Sequence, residues 1–297
     1  MGSYKNLLRM SAEKAGNCAC MGLDPQWDVL PYRSGQIRED LHRFFTELLQ
    51  EMVQRKLSPA AFKPNIGYYS VLDAPRSGTF DGSLALADLL AMLDDYFPGI
   101  PVILDSKRGD IARSSANYAH EAFDIWRCHA VTASPFMGTD SVTPFDAGQE
   151  GSKGIYLLNR TSNPGARDIQ GLVVVDEVDE KELYPLYMAI AHRIGRWAKD
   201  IDGVGAVVGA TNLEELRELA AYHSIQSIPL LIPGVGSQGA SARATLQVLK
   251  DVGYPLQLTR INSSSALTHP WKKAPAPADW LERCMTGIEK LLEETAL

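Results

Sequence analysis

The stretch "VILDSKRGDIARSS", residues 102–115, begins as an apolar run and then sets Asp105, Lys107 and Asp110 close together at its end. Residues two apart on a strand leave on the same face, so Asp105 and Lys107 share a side, and Asp110 falls beyond the strand in a turn around Gly109. A lysine flanked by carboxylates keeps its proton, because nearby opposite charge favours the ammonium. Lys107 is therefore suited to donating a proton. It is poorly suited to the neutral-amine chemistry of a Schiff base, which calls for desolvation or a neighbouring cation. For Asp110 to join the pair, it must fold back or come from another subunit.

Other reactive side chains also stand where apolar runs end. Asp24 closes "NCACMGLD", Lys63 and Asn65 close "AAFKPN", Thr161 and Ser162 follow "GIYLLNR", and "PLLIPG" leads into "PGVGSQG". With "PVILDSK", "HAVTASP", "GAVVGAT" and "LQLTRINSS" these make eight short β-rich runs. Helical patterns lie between them: "REDLHRFFTELLQEMVQRK", "SLALADLLAMLDDYF", "KELYPLYMAIAHRIGRWAKD", "NLEELRELAAYHS" and "GASARATLQVLKDVG". Nearly all-apolar strands alternating with helices imply a parallel sheet covered by helices, and eight units imply closure. The expected fold is an α/β, (β/α)8 TIM barrel with extra N- and C-terminal helices, "SAEKAG" and "ADWLERCMTGIEKLLEE". An open doubly wound sheet is the alternative. No composition break divides residues 1–297, so a single barrel domain is expected, with "KKAPAPAD" as a surface connection before the last helix. In such barrels functional residues sit at the C-terminal ends of the strands, where these side chains fall.

The net charge of −7 over 297 residues argues against nucleic acid as a partner. There is no run of eighteen apolar residues, and "MGSYKNLLRMSAEK" lacks a signal peptide's apolar core and cleavage site, so a soluble, cytoplasmic protein without membrane association is expected. Cys18, Cys20, Cys128 and Cys284 read as reduced structural thiols, since Cys18 and Cys20 alternate along a strand like small core residues. No metal site is expected from them.

The segment "ILDSKRGDI" resembles the D-x-K-x-x-D signature of the orotidine 5′-phosphate decarboxylase family. "GLDP", "FKPN", "NRTSNPGA", "VGAVVGAT", "PGVGSQG" and "INSSSA" resemble further family segments, in order, across roughly residues 15 to 270. "RTSNPGA" and "VVGAT" are similar to the longer-chain subgroup. The resemblance implies cofactor-independent decarboxylation of orotidine 5′-phosphate to uridine 5′-phosphate, the last step of pyrimidine nucleotide synthesis. It implies that Lys63, Asp105, Lys107 and Asp110 are catalytic, with Lys107 as proton donor to C6. Asp24, Lys63 and Asn65 would meet the ribose. Thr161 or Ser162 would meet the pyrimidine, and Gln238, with Gly236 in its loop, the base and phosphate. The family is a homodimer with shared sites, so Asp110, Ile111 and Ser114 would serve the neighbouring subunit's substrate. In some lineages the domain is fused to orotate phosphoribosyltransferase.

The chain departs from the family pattern at "NSSSAL", where Ser265 stands at the position of an arginine that would hold the phosphate. Loss of a charge-assisted hydrogen bond costs about 1.5–3 kcal/mol if nothing replaces it. Ser263, Ser264 and Ser265, backbone N–H groups of the next helix, or a nearby cation are the candidates to compensate; Arg260 is one such cation, but two residues before Asn262 it lies on the strand and reads better as structural. Ser134 stands where the family more often has asparagine. "GVGSQG" matches G-x-G-x-x-G, but the next strand ends without the acidic residue a dinucleotide ribose requires; a phosphate-binding, closing loop is the better reading. His120 and His129 lack partners at catalytic spacing and read as surface or packing residues. A magnesium-dependent sugar-phosphate decarboxylase of the same barrel superfamily and a decayed nucleotide-binding barrel are the alternatives. "FKPN", "RTSNPGA" and the intact charged triplet favour the first reading.

Overall fold

The structure, a computed structural model, describes residues 2–146, 151–175, 182–236 and 239–297. Ten strands form in chain order: β1 (Ala19–Gly22), β2 (Ala61–Lys63), β3 (Ile103–Arg108), β4 (Ala130–Ala133), β5 (Gly154–Arg160), β6 (Val173–Val175), β7 (Leu183–Pro185), β8 (Val204–Val208), β9 (Leu230–Ile232) and β10 (Thr259–Ser263). Eight of them make one parallel sheet in the order β2-β1-β10-β9-β8-β5-β4-β3. The sheet closes into a barrel through the bridges Phe62↔Val102 and Asn65↔Asp105 between β2 and β3. Every residue of β1, β2, β4, β8, β9 and β10 is buried, as strands covered on both faces must be. The β2–β3 seam is thinner than the other junctions. It carries Phe62 N–H to Pro101 O (3.0 Å), Asp105 N–H to Pro64 O (2.9 Å) and Ile66 N–H to Asp105 O (3.2 Å).

The covering helices are amphipathic, with their apolar stripes facing the sheet. They are α1 (Tyr4–Ala15), α2 (Ile37–Gln54), α3 (Asp81–Tyr96), α4 (Ala112–His120), α5 (Leu186–Asp200), α6 (Leu213–Ser224), α7 (Ala242–Asp251) and α8 (Trp280–Glu294). Local chemistry sets their ends. Ser3 caps α1 at Asn6 N–H and Gly16 closes it at φ +69°. Asn212 Oδ1 accepts from Glu214 and Glu215 N–H at the start of α6, and Ser241 caps α7. The expected flanking helices are α1 and α8, and "KKAPAPAD" is an irregular, largely exposed connection before α8.

One expectation is corrected here, and the structural reading of Arg260 is the one that holds. The helix pattern that began at Lys181 starts only at Leu186, because Leu183–Pro185 pairs antiparallel with Val173–Val175 as a β6–β7 hairpin outside the barrel. Pro185, extended at ψ 144°, cannot continue a helix backwards from Leu186. Arg260, a candidate phosphate cation, is fully buried on β10. All five of its N–H donors are taken: by Ala60 O, Gln257 O, Thr259 O, Leu8 O and Ser11 Oγ, at 2.6–3.1 Å. It fastens α1 to the floor of the barrel. All four cysteines are buried and free, as expected, and burial pushes each thiol up to about 12. His129 Nδ1 accepts from Val102 N–H, and exposed His120 meets Asp124 one turn on.

Candidate active site

The ends of all eight barrel strands surround a cavity of about 440 Å³. Its wall holds Asp24, Lys63, Asp105, Lys107, Thr161, Ser162, Ser264 and Ser265, drawn from five separate sequence runs. Asp105 is the hub. Lys63 Nζ donates to its Oδ2 at 2.8 Å and Lys107 Nζ to its Oδ1 at 2.6 Å. Lys63 and Asp105 are almost wholly buried, whereas the Lys107 side chain is 48% exposed and reaches into the opening. Burial alone would raise the Asp105 carboxyl, but Lys63 and then Lys107 outweigh it and hold the group below the usual carboxylate range. Burial opposes the charge on Lys63, yet Asp105 and then Asp24 keep it protonated well above the ordinary lysine range. Lys63 and Asp105 thus both stay charged at neutral pH.

Strand alternation does not by itself bring Lys107 to Asp105. The β3–β4 register shifts between Leu104 and Arg108, and Lys107 takes a left-handed φ of +48°. A non-glycine residue held there costs about 1–3 kcal/mol, so its surroundings must enforce it. Thr132 on β4 does so: its Oγ1 accepts from Ser106 and Lys107 N–H, both at 3.0 Å, and donates to Asp105 Oδ1 at 2.9 Å. The sequence reading missed Thr132. An inward hydroxyl in the apolar run "HAVTASP" was the only signal.

The remaining sequence candidates divide by position. Asp24 Oδ1 accepts from Asn65 N–H and its Oδ2 from Ser264 Oγ at 2.6 Å, tying the ends of β1, β2 and β10 together. The Asn65 side chain turns to its own loop, where Oδ1 accepts from Gly67 N–H. The Thr161 hydroxyl is engaged by Asn163 and Gln170, whereas Ser162 Oγ has no hydrogen bond among the described residues. Gly236, at φ +85°, lies beside the cavity against Ser263 and Ala266, where an added Cβ would come within 3.0 Å of Ser263 Oγ. Gln238 lies outside the described residues. Asp110, Ile111 and Ser114 are not in the cavity wall of their own chain. Ser134 lines an adjoining, larger groove with Phe136 and Trp197. Asn262 and His269 were not singled out from sequence, yet both line the cavity. Each keeps a buried polar atom, Oδ1 and Nε2 respectively, without a partner among the described residues.

Among the described residues no helix is long and apolar enough to cross a membrane. An orotidine 5′-phosphate decarboxylase from Variovorax paradoxus is 36% identical over 271 residues, covering 90% of both chains. The structure of Leishmania donovani OMP decarboxylase superposes with a TM-score of 0.72 at 30% identity, covering 99% of each chain. Leishmania donovani UMP synthase superposes with a TM-score of 0.74 at 32% identity, covering 98% of this chain, which spans 56% of that longer one. With a family model matching residues 20–251, and with the Asp–Lys array at the strand ends of a closed eight-stranded barrel, the chain belongs to the orotidine 5′-phosphate decarboxylase / HUMPS family.

Proposed function

We infer that the chain decarboxylates orotidine 5′-phosphate to uridine 5′-phosphate, completing pyrimidine nucleotide synthesis without a cofactor. The observation that carries this is the Lys63–Asp105–Lys107 array, fixed and charged in a cavity of nucleotide size. In the reaction the bond from C6 to the carboxylate breaks, CO2 leaves, and the electron pair stays on C6. Lys107 then transfers a proton from Nζ to C6. A preorganised ammonium favours the developing carbanion more in a water-excluded site than water would. Asp105 lies where it would face the substrate carboxylate and disfavour that charge relative to the transition state. Lys63 keeps Asp105 ionised and in place.

Asp24, Lys63 and Asn65 are assigned to the ribose, the last through its loop. Ser162 is favoured over Thr161 for the pyrimidine edge, because the Thr161 hydroxyl is already engaged. Gly236, Gln238, Ser264 and Ser265 are assigned to the phosphate end. Asp110, Ile111 and Ser114 are assigned to the site of a second subunit in a homodimer. The exposed apolar Ile111, Phe136 and Met137, on neighbouring β3 and β4 loops, support that interface. A single barrel domain over residues 1–297, a cytoplasmic location, and fusion or association with a phosphoribosyltransferase, as the name UMP synthase suggests for the Leishmania neighbour, complete the reading.

The test is loss of orotidine 5′-phosphate absorbance with purified protein, with and without EDTA. Turnover indifferent to EDTA is expected. Turnover abolished by EDTA would point to the magnesium-dependent sugar-phosphate chemistry, and no turnover at high substrate would favour a binding protein. Mixing inactive Lys107→Ala and Asp110→Ala proteins should restore activity if subunits share sites.

A further inference from the structure

The fixed charges of the cavity cancel: Asp24 and Asp105 stand against Lys63 and Lys107, and both ammoniums are directed at Asp105. A substrate phosphate therefore meets a wall with no uncommitted permanent cation among the described residues. Ser265, where the family's arginine would stand, supplies only a hydroxyl. An unused nitrogen donor in the wall is His269. The residue lines the same cavity, it is only 2% exposed, and its Nε2 has no partner among the described residues. A buried polar atom left unpaired is costly, and a bound ligand is one way a native fold completes it.

The local geometry directs His269 to the phosphate end. His269 N–H bonds to Ser265 O at 3.0 Å, an i to i−4 link that stacks the two residues on one face of the turn after β10. Its Nδ1 lies 2.9 Å from Thr268 Oγ1, which in turn reaches Ser264 O at 3.4 Å. That chain serves either protonation state. In the neutral ring the Thr268 hydroxyl donates to Nδ1, leaving the proton on Nε2. In the charged ring Nδ1–H donates to Thr268 and the hydroxyl passes its proton to Ser264 O. In both, Nε2–H is the ring donor left without a partner among the described residues. Asp24 and Asp28 face the ring and favour its charged form, against the larger opposing effect of burial.

We propose that His269 is the substrate-phosphate ligand of this chain, donating Nε2–H in place of the missing arginine. The proposal rests on the nucleotide reading above and adds to it a residue that the family signature does not contain. It predicts calorimetric binding of uridine 5′-phosphate and of uridine, the same ligand without phosphate. His269→Ala should weaken the nucleotide roughly ten- to hundredfold, the range for a hydrogen bond to a charged group, and leave uridine unchanged. His269→Gln, which keeps an N–H donor, should retain most of the affinity and controls for folding. Adding Ser265→Arg to His269→Ala should recover nucleotide binding. Equal losses for both ligands, or none, would overturn the assignment while leaving the decarboxylase reading intact. If the wild-type protein neither turns over orotidine 5′-phosphate nor prefers the nucleotide to uridine, the functional reading fails and the His269 assignment falls with it.

Discussion

Replacing Thr132 by valine keeps the shape of the side chain and removes one oxygen. That oxygen accepts from two backbone N–H groups and donates to Asp105. The bond to the carboxylate is worth about 1.5–3 kcal/mol, and the left-handed Lys107 backbone, worth about 1–3 kcal/mol of strain, loses its two anchors. Relaxation of residues 106–107 would swing the proton donor away from the substrate carbon while Asp24, Lys63 and the β10 serines still hold the nucleotide. If about 2–4 kcal/mol of this appears in the barrier, kcat falls roughly thirty- to several-hundredfold. KM should change little. Steady-state kinetics on Thr132→Val and Thr132→Ser, with thermal melts of both, make the test, and the serine variant should recover most of the rate because it keeps the oxygen. Wild-type kcat in the valine variant, or equal damage in both, would refute the assignment of Thr132 as the positioning residue for Lys107.

Lys107→Ala should lose turnover and keep its far-UV circular dichroism, since the side chain is half exposed and its strand is held by others; an active variant would end its role as proton donor. Arg260→Leu removes five hydrogen bonds that tie α1 to the barrel floor, so chemical denaturation should show severe destabilisation, whereas a raised KM in a normally stable protein would restore Arg260 to the phosphate site. His223 is fully buried beside Asn159, and burial lowers its ring to about 3 from 6.5. The unfolded chain therefore binds the extra proton first: stability is complete above pH 6.5 and falls as the pH drops toward 3, by about 2 kcal/mol at pH 5 from this group. Urea unfolding at pH 7 and 5 should show that loss shrinking in His223→Gln, and an unchanged pH dependence would count against it.

The barrel was legible because its signal is repetitive. Apolar runs such as "GIYLLNR" and "GAVVGAT" are buried on both faces and carry their polar residues at one end. The charges of the site were legible for the same reason: one charge where a strand surfaces is ordinary, but charges of alternating sign at adjacent strand ends, as at Lys63, Asp105 and Lys107, exceed what solvent exposure explains. What stayed hidden depends on geometry between segments. Thr132 looks like an ordinary strand threonine until the Lys107 backbone is seen to bend toward it. His269 becomes a site residue only once the turn after β10 stacks it on Ser265. The strand position of Arg260 already spoke for a structural role, but a sequence does not show that α1 folds under the barrel to fill its donors. The β7 residues Leu183–Pro185 fell inside the helix pattern because the strong period of Leu186–Asp200 hid the proline before it.

The thin junction between β2 and β3 lies where Lys63 reaches across to Asp105. The two residues sit on opposite sides of the seam, so their ion pair acts as a clasp on the most sparsely bonded part of the wall. Amide protons there, on Phe62, Asp105 and Ile66, are the ones a transient parting of the barrel would release to solvent first. A bound nucleotide touching both Lys63 and Asp105 would slow their exchange with deuterium. Occupancy of the mouth would thus be recorded as rigidity along one edge of the wall, and any variant that weakens the clasp would loosen the staves as well as the chemistry.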